Sequence, residues 1–491
     1  MENWKKWLCF FIGYFESLLF AGIIYGWPSL VYLFKEDHLY SHLCSNITVA
    51  VESNVTVAVH AEMYTKKTQV NYINCYEEDS MYNLAFSIGT CILSTSVLFG
   101  ALILDYMGLR FTRVLNSIIL ALSFLLFGLC NKERPYLIFF GVVLLGLGGG
   151  QLRLTDLQIA DIFPKAKATV IALYGGAYTG SSIVFLFFKI GYEFGISWRT
   201  SFYFCSILSL LMLIPTFLLF PKIKFNSEVH KSNKVTQNVI HNDEKTPLIV
   251  STNTKHKIDH DHPQSQISID KSVEYMKSLP LSHSLTSFSY LIHVYSISIA
   301  CLVVMIYNGS FNVWISAVTK NNETVSYLVE VFGSIQILMV IIGPVVGTMM
   351  DYAVNKANTV KEAISRRKKR QKGGFWALLI TFIVTIALLT CTFFSNINAI
   401  YVSIFIYLLA RSMSISAQPA YIRVRFPQHH FNVLTGISGV AIGFQALIQY
   451  FFFIWIGNNP LWARSTLLIL ATINFASPFH LLCLPVMKNY S

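Results

Sequence analysis

The sequence predicts an all-α membrane protein of twelve transmembrane helices, arranged as two six-helix halves. Of its 491 residues, 54% are hydrophobic and only 13% are charged, the apolar residues fall into long runs, and landmarks of the first half recur in the second. Soluble domains carry about 25% charged residues, and a helix that crosses the bilayer needs about 20 mostly apolar residues. This composition excludes a disordered chain, a coiled coil and an ordinary cytosolic enzyme.

Twelve apolar runs are long enough to cross a membrane, and we call them spans 1 to 12. They cover residues 7–34, 81–104, 111–130, 135–157, 168–190, 198–220, 289–317, 327–350, 375–394, 398–422, 432–457 and 462–486. The first run is too long for the apolar core of a signal peptide, so we expect it to remain as a membrane helix. The runs are apolar all round rather than alternating, which predicts helices and not the strands of a membrane barrel.

Lysine and arginine exceed the acidic residues by 37 to 25 and cluster in alternate connections between spans. This bias predicts that both termini lie in the cytoplasm. A long polar segment separates the first six spans from the last six. We therefore predict an N-terminal bundle at residues 1–220 with an outside loop at 35–80, a cytoplasmic linker at 221–288 and a C-terminal bundle at 289–491.

The outside loop has the features of an extracellular or lumenal segment. Asn46 and Asn54 each begin an Asn-x-Thr glycosylation site, and a third such site begins at Asn322 between spans 7 and 8. Cys44 and Cys75 lie in the same loop, where an oxidising environment allows a disulfide to persist. We predict glycosylation at the three asparagines and a disulfide between the two cysteines.

The two halves share landmarks in the same order. Gly100–Tyr106 (GALILDY) ends span 2, and Gly347–Tyr352 (GTMMDY) ends span 8. Phe163-Pro164 precedes span 5 and Phe426-Pro427 precedes span 11, with Val and Gly following each Phe by seven and thirteen residues. Internal repeats of this kind, with parallel halves around a central site, are typical of secondary transporters.

The connection between spans 2 and 3 reads DYMGLR from Asp105 to Arg110, with Arg113 beyond it. This segment is similar to the signature of the major facilitator superfamily, and Asp351 keeps the acidic position in the second half. Gly108 permits a tight cytoplasmic turn. The resemblance implies a major facilitator-type fold, in which these charged residues form a breakable latch at the helix ends. A simple turn with orienting positive charges is the alternative.

Longer segments resemble solute carrier family 43. They are Glu16–Leu30, Thr155–Phe163, Ala172–Phe185 and the pair Arg411-Ser412. One branch of that family carries large neutral amino acids and the other carries purine bases, and the runs Leu173–Ser182 and Tyr192–Ser197 are more similar to the second. The resemblance implies facilitative, sodium-independent transport of purine nucleobases such as adenine, guanine and hypoxanthine. The alternative substrates are large neutral amino acids: leucine, isoleucine, valine, phenylalanine and methionine.

Few ionisable side chains lie inside the predicted spans, and such residues are candidate functional groups because their burial is costly. The resemblance implies that spans 1, 4, 7 and 10 line a central cavity. Glu16 in span 1 and Arg411 in span 10 are therefore predicted to pair with each other or to orient substrate. Arg153 and Asp156 near the end of span 4 are interpreted as an interfacial pair, and Lys189 as a residue that snorkels from span 5.

A purine site needs an aromatic face and hydrogen-bonding amides. Besides Glu16 and Arg411, the candidate substrate-binding residues are Tyr25, Trp27, Tyr174, Asn308, Asn312, Trp314 and Gln418. No GxxxxGK[ST] sequence occurs, so ATP-driven pumping is not expected. We expect no catalytic residues, no metal, no cofactor and no nucleic-acid partner.

The expected partners are a small-molecule substrate and the lipid bilayer, and we expect the chain to function as a monomer. The scarcity of acidic residues inside the spans favours uniport over coupled transport. The predicted location is the plasma membrane. The segment Glu244–Ile249 resembles an acidic dileucine sorting signal, so an endolysosomal membrane is the alternative.

Overall fold

This computed structural model describes residues 3–44, 75–163, 167–219, 280–319, 321–360, 365, 369, 372–426 and 430–483. Secondary structure within these residues is entirely helical. Asn46, Asn54, residues 221–279 of the predicted linker and the sorting-like segment lie outside them. The side chains of Asp105 and Asp351 are also outside what is described, so the proposed latch stays a prediction.

Helices occupy all six predicted spans of the N-terminal half, and spans 1, 5 and 6 each consist of two helices. Span 1 consists of Asn3–Glu16 and Trp27–Glu36, joined by a π turn and a 3-10 turn. Span 5 consists of Lys167–Gly180 and Val184–Glu193, joined by a 3-10 turn. The helices of spans 2, 3, 4 and 6 are Tyr76–Met107, Leu109–Gly128, Leu137–Leu157, and Trp198–Leu211 with Leu213–Leu218.

The C-terminal half contains the other six spans. Their helices are Phe288–Thr319, Asn322–Ile335 with Met339–Asn358, Phe375–Cys391, Ile397–Arg425, Phe431–Asn458, and Pro460–Ile473 with Ala476–Cys483. Across the described part of the chain, nine helical segments are long and apolar enough to cross a bilayer, and the bent span 1 makes a tenth. The shorter span 9 and the interrupted span 5 complete the predicted twelve.

The same pattern of helix packing occurs in both halves. Span 4 packs against spans 2 and 3, and span 3 packs against span 6; correspondingly, span 10 packs against spans 8 and 9, and span 9 against span 12. A shift of six spans relates the two sets, which agrees with the repeat seen in the sequence. The halves meet where span 2 packs against span 11, span 5 against span 8, and span 1 against span 7.

Glycine is required at two turns of the N-terminal half. Gly108 has a φ of 83°, which confirms the tight turn predicted between spans 2 and 3. Span 1 bends by 46° at Gly22, whose N–H donates to Ser181 Oγ at 2.8 Å. A side chain at Gly22 would collide with the carbonyl oxygen of Tyr178. The glycine therefore lets span 1 lie directly against span 5.

Covalent and polar contacts fix the ends of the outside loop. Cys44 and Cys75 form a disulfide, as predicted. Beside it, Lys35 and Asp79 form a buried ion pair. The Tyr40 hydroxyl donates to the carbonyl oxygen of Pro135 at 2.9 Å, and burial raises the pKa of that hydroxyl. These contacts attach the start of the loop to span 2 and to the connection before span 4.

Candidate functional site

Arg411 is a fully buried cation in the middle of span 10. Its guanidinium carbon lies 4.2 Å from the centroid of the Tyr25 ring. Its Nη1 donates to Gln336 Oε1 at 2.9 Å and to Ser182 Oγ at 3.3 Å. No hydrogen-bond partner for its Nε or Nη2 exists among the described residues. A charged group buried in this way is costly, because only neutral groups compensate it.

These four residues, Tyr25, Ser182, Gln336 and Arg411, come from both halves, and we call them the central site. Tyr25 and Ser182 belong to spans 1 and 5, whereas Gln336 and Arg411 belong to spans 8 and 10. The buried hydroxyl of Tyr407, one turn before Arg411 in span 10, lies beside the guanidinium without a hydrogen bond of ordinary length. The central site is therefore polar, incompletely hydrogen-bonded and shared between the two bundles.

Amide side chains of span 7 bind the broken part of span 1. Asn308 Nδ2 donates to the carbonyl oxygen of Tyr25 at 3.2 Å, and Asn312 Nδ2 donates to that of Pro28 at 2.8 Å. The carbonyl groups at such a break need partners inside a membrane. Asn308 Oδ1 and the indole N–H of Trp27 are buried without described partners. The structure thus brings Tyr25, Trp27, Asn308 and Asn312 to the interface of the halves.

Lys189 forms an ion-pair network between the halves near the predicted outer surface. Its Nζ donates to Glu193 at 2.6 Å within span 5 and to Glu330 of span 8 at 2.7 Å. It also donates to Ser326 Oγ at 2.7 Å. Lys189 is fully buried, so the prediction that it snorkels is wrong. Snorkelling solvates a lone cation, whereas here carboxylates of both halves supply partners.

Two further contacts join spans 2 and 11 on the outer side of the central site. Gln449 Nε2 donates to Asn83 Oδ1 at 3.1 Å. The hydroxyls of Ser80 and Tyr450 lie 3.1 Å apart. Together with the span 1–span 7 amides and the Lys189 network, these contacts join the halves on the side of the protein that is predicted to face outward.

Arg113 binds two carboxylates inside the N-terminal half. Its Nη2 donates to Glu16, and its Nη1 donates to Asp156 Oδ1 at 2.7 Å. The prediction that Glu16 pairs with Arg411 is therefore wrong, as is the pairing of Arg153 with Asp156. Arg153 lies instead over the Tyr178 ring, 4.4 Å from its centroid. The carboxylates of spans 1 and 4 both pair with Arg113 of span 3, because this residue supplies the opposite charge within their own half.

Three predicted residues have their described contacts elsewhere. The Tyr174 hydroxyl donates to the carbonyl oxygen of Phe10 at 2.9 Å, near the start of span 1. Gln418 donates to Ser438 Oγ within the C-terminal half. Trp314 lines a mostly apolar pocket that also contains Arg464. The structure does not bring these three side chains into the central site.

Two members of the central site were missed by the sequence analysis. Gln336 is a polar residue within an apolar span, and this is a recognisable signal. Ser182 gave no such signal, because serine is common in membrane helices and is often bonded to its own backbone. Of the predicted gating residues, Arg110 is half-buried at the start of span 3. The predicted glycosylation site Asn322 is exposed in the first turn of span 8.

Residues 47–449 match the Major Facilitator Superfamily. This match spans most of the chain and agrees with the twelve-span, two-half architecture. The chain therefore belongs to the major facilitator superfamily and is a multi-pass membrane transporter.

Relatives of two kinds match nearly the whole chain. The "Large neutral amino acids transporter small subunit 3" of Homo sapiens is 23% identical over 97% of this chain and 93% of its own length. The mouse protein of that name is 24% identical over the same shares. The "Equilibrative nucleobase transporter 1" of Bos taurus is 23% identical over 95% of this chain and 94% of its own length. The resemblance to solute carrier family 43 is thus confirmed. Because the identities are nearly equal, they do not distinguish between the two kinds of substrate.

Proposed function

We propose that this chain is a facilitative, sodium-independent transporter of purine nucleobases. The observation that carries the proposal is the central site, where a buried guanidinium with two unpaired nitrogens lies beside an aromatic ring and an amide. A purine base offers a flat face for stacking and a set of hydrogen-bonding atoms on its edges. The site can satisfy its own unpaired groups by binding such a solute.

The position of the site supports transport by alternating access. Substrate sites of secondary transporters lie near the bilayer midplane, between the repeated halves, which rock around them. Here Arg411 hydrogen-bonds across the interface to Ser182, and polar contacts close the outer side. Opening the outer contacts while the inner side closes would expose the same site to the other compartment.

The proposed carrier is driven by the substrate gradient alone. The acidic groups buried in spans 1 and 4, Glu16 and Asp156, both bind Arg113 within one half. They make no described contact with the central site. This supports uniport or exchange without sodium.

Large neutral amino acids are the second candidate substrates. The observation in their favour is the same guanidinium, because a carboxylate accepts two parallel hydrogen bonds from arginine. A zwitterion also needs a partner for its ammonium group. The described carboxylates of spans 1 and 4 are already held by Arg113, which favours the uncharged base over the amino acid.

Uptake by intact cells tests the proposal. Labelled adenine, hypoxanthine and leucine are supplied to cells that express the chain, with and without sodium and proton gradients. We expect saturable purine uptake that is insensitive to both gradients and is not competed by leucine. Leucine uptake without purine uptake would establish the second candidate instead.

We also propose that the carrier resides in the plasma membrane, with an endolysosomal membrane as the alternative. Its outside loop is stabilised by a disulfide, which an external face allows. Surface labelling of a tagged chain tests this location. If the chain is internal, replacing Leu248 and Ile249 by alanine should move it to the surface, since those residues form the dileucine-like part of the linker.

A further inference from the structure

The free nitrogens of Arg411 form one edge of its guanidinium group. In the planar arginine side chain, the Nε–H and one N–H of Nη2 point in parallel, whereas Nη1 lies on the opposite side. Nη1 is the nitrogen that binds Gln336 and Ser182. Nε and Nη2 are both without a described partner. The central site therefore holds an arginine that is anchored through Nη1 and whose two-donor edge makes no hydrogen bond of ordinary length. The Tyr407 hydroxyl is a neighbour of the same guanidinium.

We infer that this edge selects purines with a carbonyl group at C6, such as hypoxanthine and guanine, over adenine. The inference rests on the proposed purine transport and adds a substrate preference to it. Guanine presents two neighbouring acceptors, O6 and N7, and arginine binds this pair with two hydrogen bonds. Hypoxanthine carries the same two atoms. Adenine presents N7 beside the donor N6–H₂, so one donor of Arg411 would face another donor.

The unpaired nitrogens make this mismatch expensive. Where a buried site is built to hydrogen-bond a ligand, an analogue that lacks the bonding group leaves a buried polar atom unsatisfied and is rejected strongly. A correct two-bond contact discriminates between bases by roughly tenfold or more. Arg411 is fully buried in the outside-closed structure, so a solute reaches the edge only when the halves move apart.

Equilibrium binding to the purified full-length protein in lipid nanodiscs tests the inference. Labelled hypoxanthine is the probe, and unlabelled guanine, adenine, 7-deazahypoxanthine and leucine are the competitors. The 7-deaza compound keeps O6 but lacks the N7 acceptor. We expect guanine to compete as well as hypoxanthine does, and adenine and the 7-deaza compound to be weaker by about tenfold or more. The ligand series needs no variant, so it does not depend on how a substituted protein folds.

Arg411→Lys is the matching variant, and Arg464→Lys is its control. Lysine keeps the charge but offers no two-donor edge, so we expect the preference for hypoxanthine over adenine to shrink to within about twofold. Arg464 lies in the separate cavity of the C-terminal half, and its replacement should leave the preference unchanged.

The outcomes separate this inference from the proposed function. Equal binding of adenine and hypoxanthine, or of hypoxanthine and its 7-deaza analogue, would overturn the inference and leave purine transport standing. No binding of labelled hypoxanthine, together with binding of labelled leucine in a parallel assay on the same nanodiscs, would overturn both. A preference for hypoxanthine that survives Arg411→Lys in full would also contradict the role given to the guanidinium edge.

Discussion

Arg411 and Tyr25 face each other across the middle of the protein, with the guanidinium carbon 4.2 Å from the ring centroid. A cation over an aromatic ring gains roughly 0.5 to 2 kcal/mol. The contact joins span 10 of one half to the broken part of span 1 in the other. Among the described residues, only neutral groups contact this guanidinium. A bound solute, or water that enters when the halves separate, would supply the hydrogen-bond acceptors that Nε and Nη2 lack.

Replacing Arg411 with alanine should abolish uptake. The variant loses the donors that the proposed site offers to substrate, as well as the contact with Tyr25 that joins the halves. The measurement is the initial rate of labelled purine uptake, corrected for the amount of protein at the surface. Arg464→Ala is the control, because Arg464 also belongs to a C-terminal span but lies outside the central site. An Arg411→Ala carrier with more than half of the parental rate would contradict the assignment.

The cluster formed by Glu16, Arg113 and Asp156 should be a strong determinant of stability. Arg113→Ala leaves two buried carboxylates without their cation, and breaking a buried pair in this way costs roughly 3–5 kcal/mol. Thermal unfolding of the purified protein should show a clear fall in melting temperature. The exposed Arg134, in the connection between spans 3 and 4, is the control, and Arg134→Ala should change the melting temperature little.

A charge-neutral version of the same cluster separates charge from packing. In the triple variant Arg113→Ala, Glu16→Gln, Asp156→Asn, no unpaired charge remains buried. We expect it to recover part of the stability that Arg113→Ala loses. If the triple variant is no more stable than Arg113→Ala, the loss comes from packing and not from uncompensated charge.

The ion pair between Lys189 and Glu330 should hold the outer side closed. Glu330→Gln weakens an ion pair between the halves. Glu193→Gln weakens an ion pair within span 5, and across the halves this carboxylate only accepts a longer hydrogen bond, 3.3 Å, from Ser326 Oγ of span 8. The two glutamates are similarly exposed, at 37% and 42%. A cysteine introduced at the fully buried Ile315 of span 7 reports opening through its reaction with a membrane-impermeant maleimide. We expect Glu330→Gln to speed labelling several-fold and Glu193→Gln to have a smaller effect. Equal labelling rates in the two variants would show that the ion pair between Lys189 and Glu330 does not hold the halves together.

Much of the fold was predictable because membrane helices leave strong signals in sequence. Long apolar runs located the twelve spans, and matched landmarks indicated the two halves. Two cysteines in one polar loop predicted the disulfide between Cys44 and Cys75. Gly108 identified the tight turn after span 2. Each of these features depends on composition or local backbone geometry, which the sequence records directly.

The pairing of buried charges was not predictable in the same way. Position along a span gives the depth of a residue, but a helix that is apolar all round does not show which face points inward. Span 1 also changes from α to π geometry directly after Glu16. The resemblance placed spans 1 and 10 at one cavity and so suggested Arg411 as the partner of Glu16, whereas the Glu16 side chain points to Arg113 of span 3. Gln336 and Ser182 were missed for the same reason, because the sequence does not show that their side chains point toward Arg411.

Glycosylation tests the orientation of the chain. Asn46 and Asn54 lie in the predicted outside loop, so treatment with an endoglycosidase should reduce the apparent mass. Replacing both asparagines with glutamine should remove most of that shift, and adding Asn322→Gln should remove any remainder. A tag placed within residues 221–288 should be inaccessible to antibody on intact cells. Antibody staining of that tag on intact cells would contradict the predicted topology, because it would place residues 221–288 outside the cell.

Exchange in proteoliposomes tests the central claim most directly. Purified carrier is reconstituted into vesicles that contain unlabelled hypoxanthine, unlabelled leucine or buffer, and entry of labelled hypoxanthine is measured without sodium or proton gradients. A facilitative purine carrier with one site alternately open to each side should accumulate label transiently in the hypoxanthine-loaded vesicles only. That accumulation should be lost with Arg411→Ala and kept with Arg464→Ala. Label that enters only when an ion gradient is imposed, or that is accelerated by internal leucine but not by internal hypoxanthine, would contradict the proposed function.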